Sequence, residues 1–338
     1  MTNSPAISGG IATATVSTVS FTSFNPQIAS LKASGVRIYG PNATVAQDLE
    51  PEYVTFIDNT TAAVSLQENN AVAIVNIATA TVTTIYPLGL KDHSIAGNGF
   101  DASDRDLTMA IGKINIQNWP VKGMYMPDAI ASFTSGGNTY FITANEGDSR
   151  DYTGFTEEIR VGVTGATVYT LDPTIFPNAS TLKLNANLGR LQLTKATGDT
   201  DGDGDFDEIH ALGARSFTIW NNTFTPVFDS GDQLEQITAS QSAASFNSDG
   251  TSASFDGRSD NKGPEPEGVT TGTINGVLYA FVGSERTGDI FMYDITNPAA
   301  PVFKQYINTA ADVAVEGIIF VSASDSPTGN ALVIVSAE

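Results

Sequence analysis

Polar and apolar residues alternate along much of this 338-residue chain, with the period of two expected of half-buried β-strands. Five alternating runs open on a charged residue: LEPEYVTF at Glu50 and Glu52, MPDAIASF at Asp128, GARSFTIW at Arg215, PEPEGV at Glu265 and Glu267, and VEGIIFV at Glu316. After four of these openings a second run follows at a nearly fixed distance and closes on a glutamate: Glu68, Glu146, Glu285 and Glu338. The repeat predicts hairpins whose first strand starts with a charge and whose second ends with one. Because the start of one strand lies beside the end of its antiparallel neighbour, both charges meet at one rim of the sheet.

The rest of the pattern fits four-stranded units. Residues 72–88 (VAIVNIATATVTTIYPL) add two strands to the hairpin at 50–68, and residues 288–307 add outer strands after Glu285. Residues 11–24 alternate like a strand and lead into 25–40, a short stretch of helical spacing predicted to pack on a sheet face. The expected fold is all-β: one β-propeller domain over residues 1–338, with blades opening near 50, 128, 215, 267 and 316. Polar insertions are expected at 91–120 and 229–262, and the last blade stops two strands short of completion. Open blade edges invite pairing, so a homodimer is expected.

In such an arrangement every charged rim faces one central channel, and the carboxylates form a ring. Like charges held together persist only if protons or cations neutralise them, so the ring predicts bound metal. The segment ANEGDSRDY adds Asn145, Glu146, Asp148 and Asp151, with Arg150 among them, directly after a strand end. Within the first insertion, Asp101, Asp104 and Asp106 either line the channel mouth or cap turns. A second type of metal motif is GDTDGDGDFDEIH, in which Asp199, Asp201, Asp203 and Asp207 occupy positions 1, 3, 5 and 9 of a calcium loop. Gly204 stands at the sharp turn. His210, however, replaces the bidentate glutamate, and strands are expected on either side, so the loop is predicted to be structural.

Composition narrows the chemistry. With 37 acidic and 16 basic residues the formal net charge is −21, which repels a nucleic-acid backbone. The chain has no cysteine and only two histidines, His93 and His210. Thiolate catalysis, a Ser-His-Asp site and multi-histidine zinc are thereby disfavoured, which leaves oxygen ligands and hard cations such as Ca²⁺ or Mg²⁺. No apolar run is long enough to span a bilayer, and the first residues show no signal-peptide pattern.

The segments LEPEYVTF, SLQENNAVAIVNI, KDHS, NGFDASDRD, INIQNWPVKGMYMPDAIA, TANEGDSRDY, DTDGDGDFDE, RSDNKGPEPEGV and SPTGNALVIVSAE resemble the bacterial choice-of-anchor I family. These are usually exported β-propeller proteins, described as alkaline-phosphatase-like or phytase-like esterases. The resemblance covers nearly the whole chain and implies further blades ahead of LEPEYV and a closing strand pair beyond Glu338. It also implies an extracellular or periplasmic location and calcium-dependent hydrolysis of phosphate esters, phosphotriesters included, or of lactones.

On that reading Ca²⁺ is held by Glu52, Glu146, Glu267, Glu285 and Glu316 and polarises a phosphoryl oxygen of a small phosphoester substrate. Asp128, Asp148 or Glu265 acts as nucleophile or base. Arg150, Arg215, Lys262 and Arg286, four of the 16 basic residues, clamp non-bridging oxygens. The competing expectations are a calcium-stabilised binding or surface propeller without chemistry, and a lactonase or carboxylesterase using the same site.

Overall fold

A computed structural model describes residues 16–108, 111–165, 168–308 and 313–337. The expected strand residues 11–15 and the terminal Glu338 lie outside them. The described chain is mostly β, in several small sheets. The first is a meander of Val54–Phe56, Thr61–Leu66, Ala71–Asn76 and Thr81–Pro87. Another joins Pro266–Ile274, Val277–Ser284, Asp289–Asp294 and Val302–Asn308 in the same order. Val315–Val321 and Leu332–Ala337 pair as a two-stranded sheet.

The opening at Arg215 departs from expectation. Phe217–Trp220 starts no sheet of its own; it pairs with Asn138–Ala144 as third strand of the sheet that Ile130–Ser135 begins, and Pro226–Asp229 completes it. Between its second and third strands the chain leaves on a long excursion. That excursion contributes Glu158–Arg160, Gln192–Thr194 and His210–Ala211 to a five-stranded sheet with Leu90–Asp92 and Lys122–Met124. The His210–Ala211 strand runs parallel to Lys122–Met124, as a strand arriving by a long connection can.

Apolar faces of neighbouring sheets pack together in series. Ala63 and Val72 of the first sheet meet Ile130, Phe141 and Trp220; Phe133, Ile142 and Ile219 then meet Val269, Val282 and Phe291. Phe281 and Ile290 meet Val315 and Ile318 in turn. The first strands of these sheets therefore stand side by side, and polar contacts tie them at one end: Ser65 Oγ donates to Asp128 O (2.8 Å) and Val315 N to Glu285 O (3.0 Å).

The expected helix is present as Ile28–Ser34, ending at Gly35 with φ +104°, the left-handed cap that glycine supplies most easily. Its Leu31, with Phe24 and Val36, packs on Leu66, Ala73 and Val82 of the first sheet. Within the polar stretch 229–262, expected to be loop, the chain forms a helix at Gln233–Gln241. Its buried positions are Leu234, Glu235 and Thr238, too mixed in polarity for a legible apolar face.

Candidate functional site

Where the first strands begin, a polar cavity of about 290 Å³ opens. Hairpin geometry builds its wall. Glu52 precedes the Val54–Phe56 strand and Glu68 follows its partner; Asp128 and Glu146 stand likewise around the hairpin 130–144, while Glu267 is the second residue of Pro266–Ile274 and Glu285 follows its partner strand. A register shift between Pro266 and Val269 holds Glu267 at a bulge, a device that re-aims a side chain next to a site. Beyond Glu146 the chain turns sharply through Gly147 at φ +96°, where an added Cβ would fall 2.1 Å from the backbone nitrogen of Gly213.

Glu146, Glu267 and Glu285 are buried, and each brings one carboxylate oxygen within 4.8 Å of the others. That spacing suits a single hard cation with metal-oxygen bonds of about 2.3–2.6 Å. Two further oxygens, Asp128 Oδ2 and Glu68 Oε2, are buried without a hydrogen-bond partner among the described residues. A buried polar atom without a protein partner is rare and suits an ion or an ordered water. All the acidic donors are oxygens, so the set fits Ca²⁺ or a similar ion. Glu316 stands close enough to act electrostatically on Asp128 and Glu267.

Crowding of these acids shows in their ionisation. Burial, then Glu146 and Glu52, pushes the Asp128 carboxyl up to about 8. Burial pushes Glu68 up to about 7, helped by Glu50 and Glu52. Glu267 and Glu285 are raised by burial and then by neighbouring carboxylates, and Glu52 is raised for the same reasons. From the ordinary carboxyl range upward, the folded chain thus keeps protons that the unfolded chain has released. With chelator present, this contribution to stability is complete below the ordinary range and declines as pH rises through 7 and 8. Urea midpoints across that range check it; a midpoint that climbs with pH contradicts it.

Cations are woven into the same wall. Lys262 Nζ donates to Glu146 Oε1 and to Asp148 Oδ1 (3.1 Å), with Glu265 3.6 Å away. Burial alone would favour the neutral amine, but Glu146, Glu265 and Asp148 outweigh it and keep the ammonium charged. Arg286 lines the cavity, bridging Glu285 (2.8 Å) and Glu265 (3.3 Å). Asp148 is exposed at the cavity's edge.

Three sequence expectations need correction. Glu265, expected as a nucleophile or base, does not line the cavity: it is fully enclosed and pairs with Arg258 (2.5 Å), Arg286 and Lys262, which hold its carboxyl below the usual range despite burial. Arg150 does not reach the cavity, because its guanidinium lies over the Tyr39 ring and pairs with Asp48 (3.0 Å) and Glu50 (2.7 Å). Arg215 is likewise buried elsewhere, committed to Glu235 and to backbone carbonyls.

The calcium-loop motif is split. Asp199, Asp201 and Asp203 converge at the surface as expected, but Asp207 groups with Asp205 and Asp172. Thr200 claims Asp207 through N and Oγ1, both at 2.7 Å, and a bridge between Leu171 and Phe206 draws that arm toward Asp172. His210, in the place of the bidentate glutamate, bonds Thr197 and Glu208 instead.

Two cavity residues were not among the expected site residues. Glu68 shares the strand-end position of Glu146 and Glu285, and that periodicity was its signal. Gln67, whose Nε2 donates to Glu146 Oε2 at 2.8 Å, had none. A larger cavity of about 740 Å³ beside the Ile28–Ser34 helix is more apolar. Its Arg37 and His210 are paired with Glu157 and Glu208.

The family model of the choice-of-anchor I domain matches residues 5–298. The chain belongs to the choice-of-anchor I family. Among curated proteins it is similar to Gigasin-3a of Magallana gigas, 28% identical over 175 residues, a match covering 45% of this chain and 61% of Gigasin-3a. The chain thus spans less than two thirds of the relative's length. Choice-of-anchor membership implies a surface or secreted protein, and no helix among the described residues is long and apolar enough to cross a membrane. The choice-of-anchor I match includes the cavity glutamates from Glu52 to Glu285 and the aspartate loop, and ends ahead of Glu316.

Proposed function

We propose that this choice-of-anchor I protein is a calcium-dependent hydrolase of phosphoesters, phosphotriesters among them, working at the mouth of a β-propeller channel. The single observation that carries the reading is the meeting of Glu146, Glu267 and Glu285 beside the unpartnered oxygens of Asp128 and Glu68. The serial face-to-face packing of sheets whose first strands adjoin supports the propeller. An extracellular or periplasmic setting, rich in calcium, suits such a site.

When bound, Ca²⁺ supplies positive charge that offsets the acids and draws electron density from a phosphoryl oxygen. Glu146, Glu267 and Glu285 form the core of the ligand set, with Glu52 and Glu316 flanking it. Lys262 fixes the Glu146 and Asp148 carboxylates through its ion pairs with both. Arg286, more exposed than Lys262, presents its guanidinium to a non-bridging oxygen. With the acids offset by a bound cation, Asp128 would be ionised and accept a proton from the attacking water as the new P–O bond forms, the ester P–O bond breaks and the alcohol leaves. The aspartate loop at 199–207 holds a separate structural Ca²⁺.

The test is a panel of phosphate mono-, di- and triesters plus a lactone, assayed with Ca²⁺ and with chelator while circular dichroism follows the fold. Phosphoester turnover is expected with Ca²⁺ and is lost in chelator while the spectrum stays unchanged. Folded, calcium-replete protein that hydrolyses none of the phosphoesters would overturn the reading; in that case a binding propeller stands, or a lactonase if only the lactone is cut.

A further inference from the structure

The cavity of about 740 Å³ beside the Ile28–Ser34 helix shares no lining residue with the acidic one. One wall belongs to the five-stranded sheet, where Leu90 and Met124 stand opposite each other in register. Another is the segment that leaves the helix after Gly35, with Val36 and Ile38 buried along it. Arg37 pins that segment: its N donates to Asn69 O at 2.9 Å, and its O accepts from Asn69 Nδ2 at 2.6 Å. Its guanidinium is tied as well, to Glu157 and, through Nη1, to Glu68 O at 2.5 Å. Walls fixed in this way make a preformed site, within the ~300–1,000 Å³ usual for small-molecule pockets.

The lining is selective in charge. The chain has 37 acidic residues and a net charge of −21, yet no aspartate or glutamate lines this cavity among the described residues. Lys32 is exposed and has no ion pair among them. Arg37 keeps its Nε–H buried without an acceptor, and such a donor is rare and suits an acceptor oxygen. His210, at the position where a calcium loop carries its last ligand, lines this cavity instead, its ring engaged with Thr197 and Glu208. Around these groups Val36, Ile38, Leu90 and Met124 offer apolar surface. A free ammonium and an unmet donor beside such surface complement a molecule that is anionic at one end and apolar along the rest.

We propose that this cavity binds a small organic anion, one carboxylate on an apolar body, with the carboxylate taken by Lys32 and Arg37 and the body lying against Val36, Ile38, Leu90 and Met124. The site stands apart from the hydrolase reading, because it uses none of the acidic cavity's residues and needs no cation.

Titration calorimetry of the whole chain with naphthoate and with its neutral amide, in chelator and again with Ca²⁺, tests it. Naphthoate is expected to bind at one site per chain, equally in both solutions and more tightly than the amide. Lys32 and Ala196 are exposed lining residues, so Lys32→Glu and Ala196→Phe should fold normally, which circular dichroism verifies. Reversing the charge at Lys32 is expected to weaken naphthoate about tenfold or more, the weight of one hydrogen bond to a charged group, and to spare the amide. The ring added at position 196 should weaken both. No saturable binding, an amide that binds as tightly as the acid, or an affinity that either variant leaves unchanged overturns the proposal. So does binding seen only with Ca²⁺, which would put the anion at the acidic cavity.

Discussion

Replacing Glu267 by glutamine is expected to remove calcium from the cavity while leaving the chelated protein at least as stable as its parent. The two effects share one cause. Glu267 lies with Glu146 and Glu285 inside the spacing of one cation, and the same neighbours that would share the ion raise its carboxyl when no ion is there. Glutamine keeps the length and hydrogen-bonding shape but takes one charge out of the crowd. In chelator the variant loses a repulsive group and, with it, part of the decline in stability toward alkaline pH. On the proposed function it would lack a calcium ligand, and affinity should fall by about 10- to 100-fold or more, the range found for disturbing groups behind the ligands. The proposed phosphoester hydrolysis should drop by about 10²–10³-fold, as when one charge-stabilising group is lost. Calcium titration calorimetry beside urea melts in chelator checks both halves. Undiminished calcium binding, or a chelated variant clearly weaker than its parent, would show that Glu267 serves packing.

How far the sequence foresaw this site depends on which contacts are local. A hairpin brings its own two ends together, so Asp128 with Glu146 and Glu267 with Glu285 were legible from spacing alone. Arg215 shows the limit: a charge before an alternating run looks the same whether the strand starts a sheet or joins one already begun. Phe217–Trp220 joins, because its partner Asn138–Ala144 lies across the long excursion between them. Arg150 shows the same limit. It shares a segment with Glu146, yet its destination, Tyr39 and Asp48, lies far off in sequence. Glu265 and Glu267 look equivalent in PEPEGV, but Glu265 takes a left-handed backbone at φ +47° and a bulge follows. One carboxylate thus faces the buried cations and the other the cavity. The Asp207 arm of the calcium loop turned on Asp172, a partner outside the motif.

Arg215→Met should be among the most destabilising single substitutions in the chain. The guanidinium donates to Asp101 O (2.7 Å), Ser259 O (2.8 Å), Asn261 O (2.7 Å) and Glu235 Oε1 (3.0 Å), and it lies 4.5 Å from the centre of the Phe100 ring. Methionine fills the volume but leaves a buried glutamate without its counter-charge and several carbonyls without a donor. Breaking a buried pair from one side costs about 3–5 kcal/mol, a large share of the roughly 5–15 kcal/mol available to a domain. Lysine should rescue little, since one ammonium cannot reproduce a planar fork of donors. Burial already favours the neutral form of Glu235 and Arg215 opposes it, so the double variant Arg215→Met, Glu235→Leu should recover part of the loss by removing both charges together. Urea unfolding of the two single variants and the double supplies the coupling energy. A substrate clamp would behave in the opposite way, raising KM with stability unmoved, and that outcome would return Arg215 to the role its place in the sequence suggested.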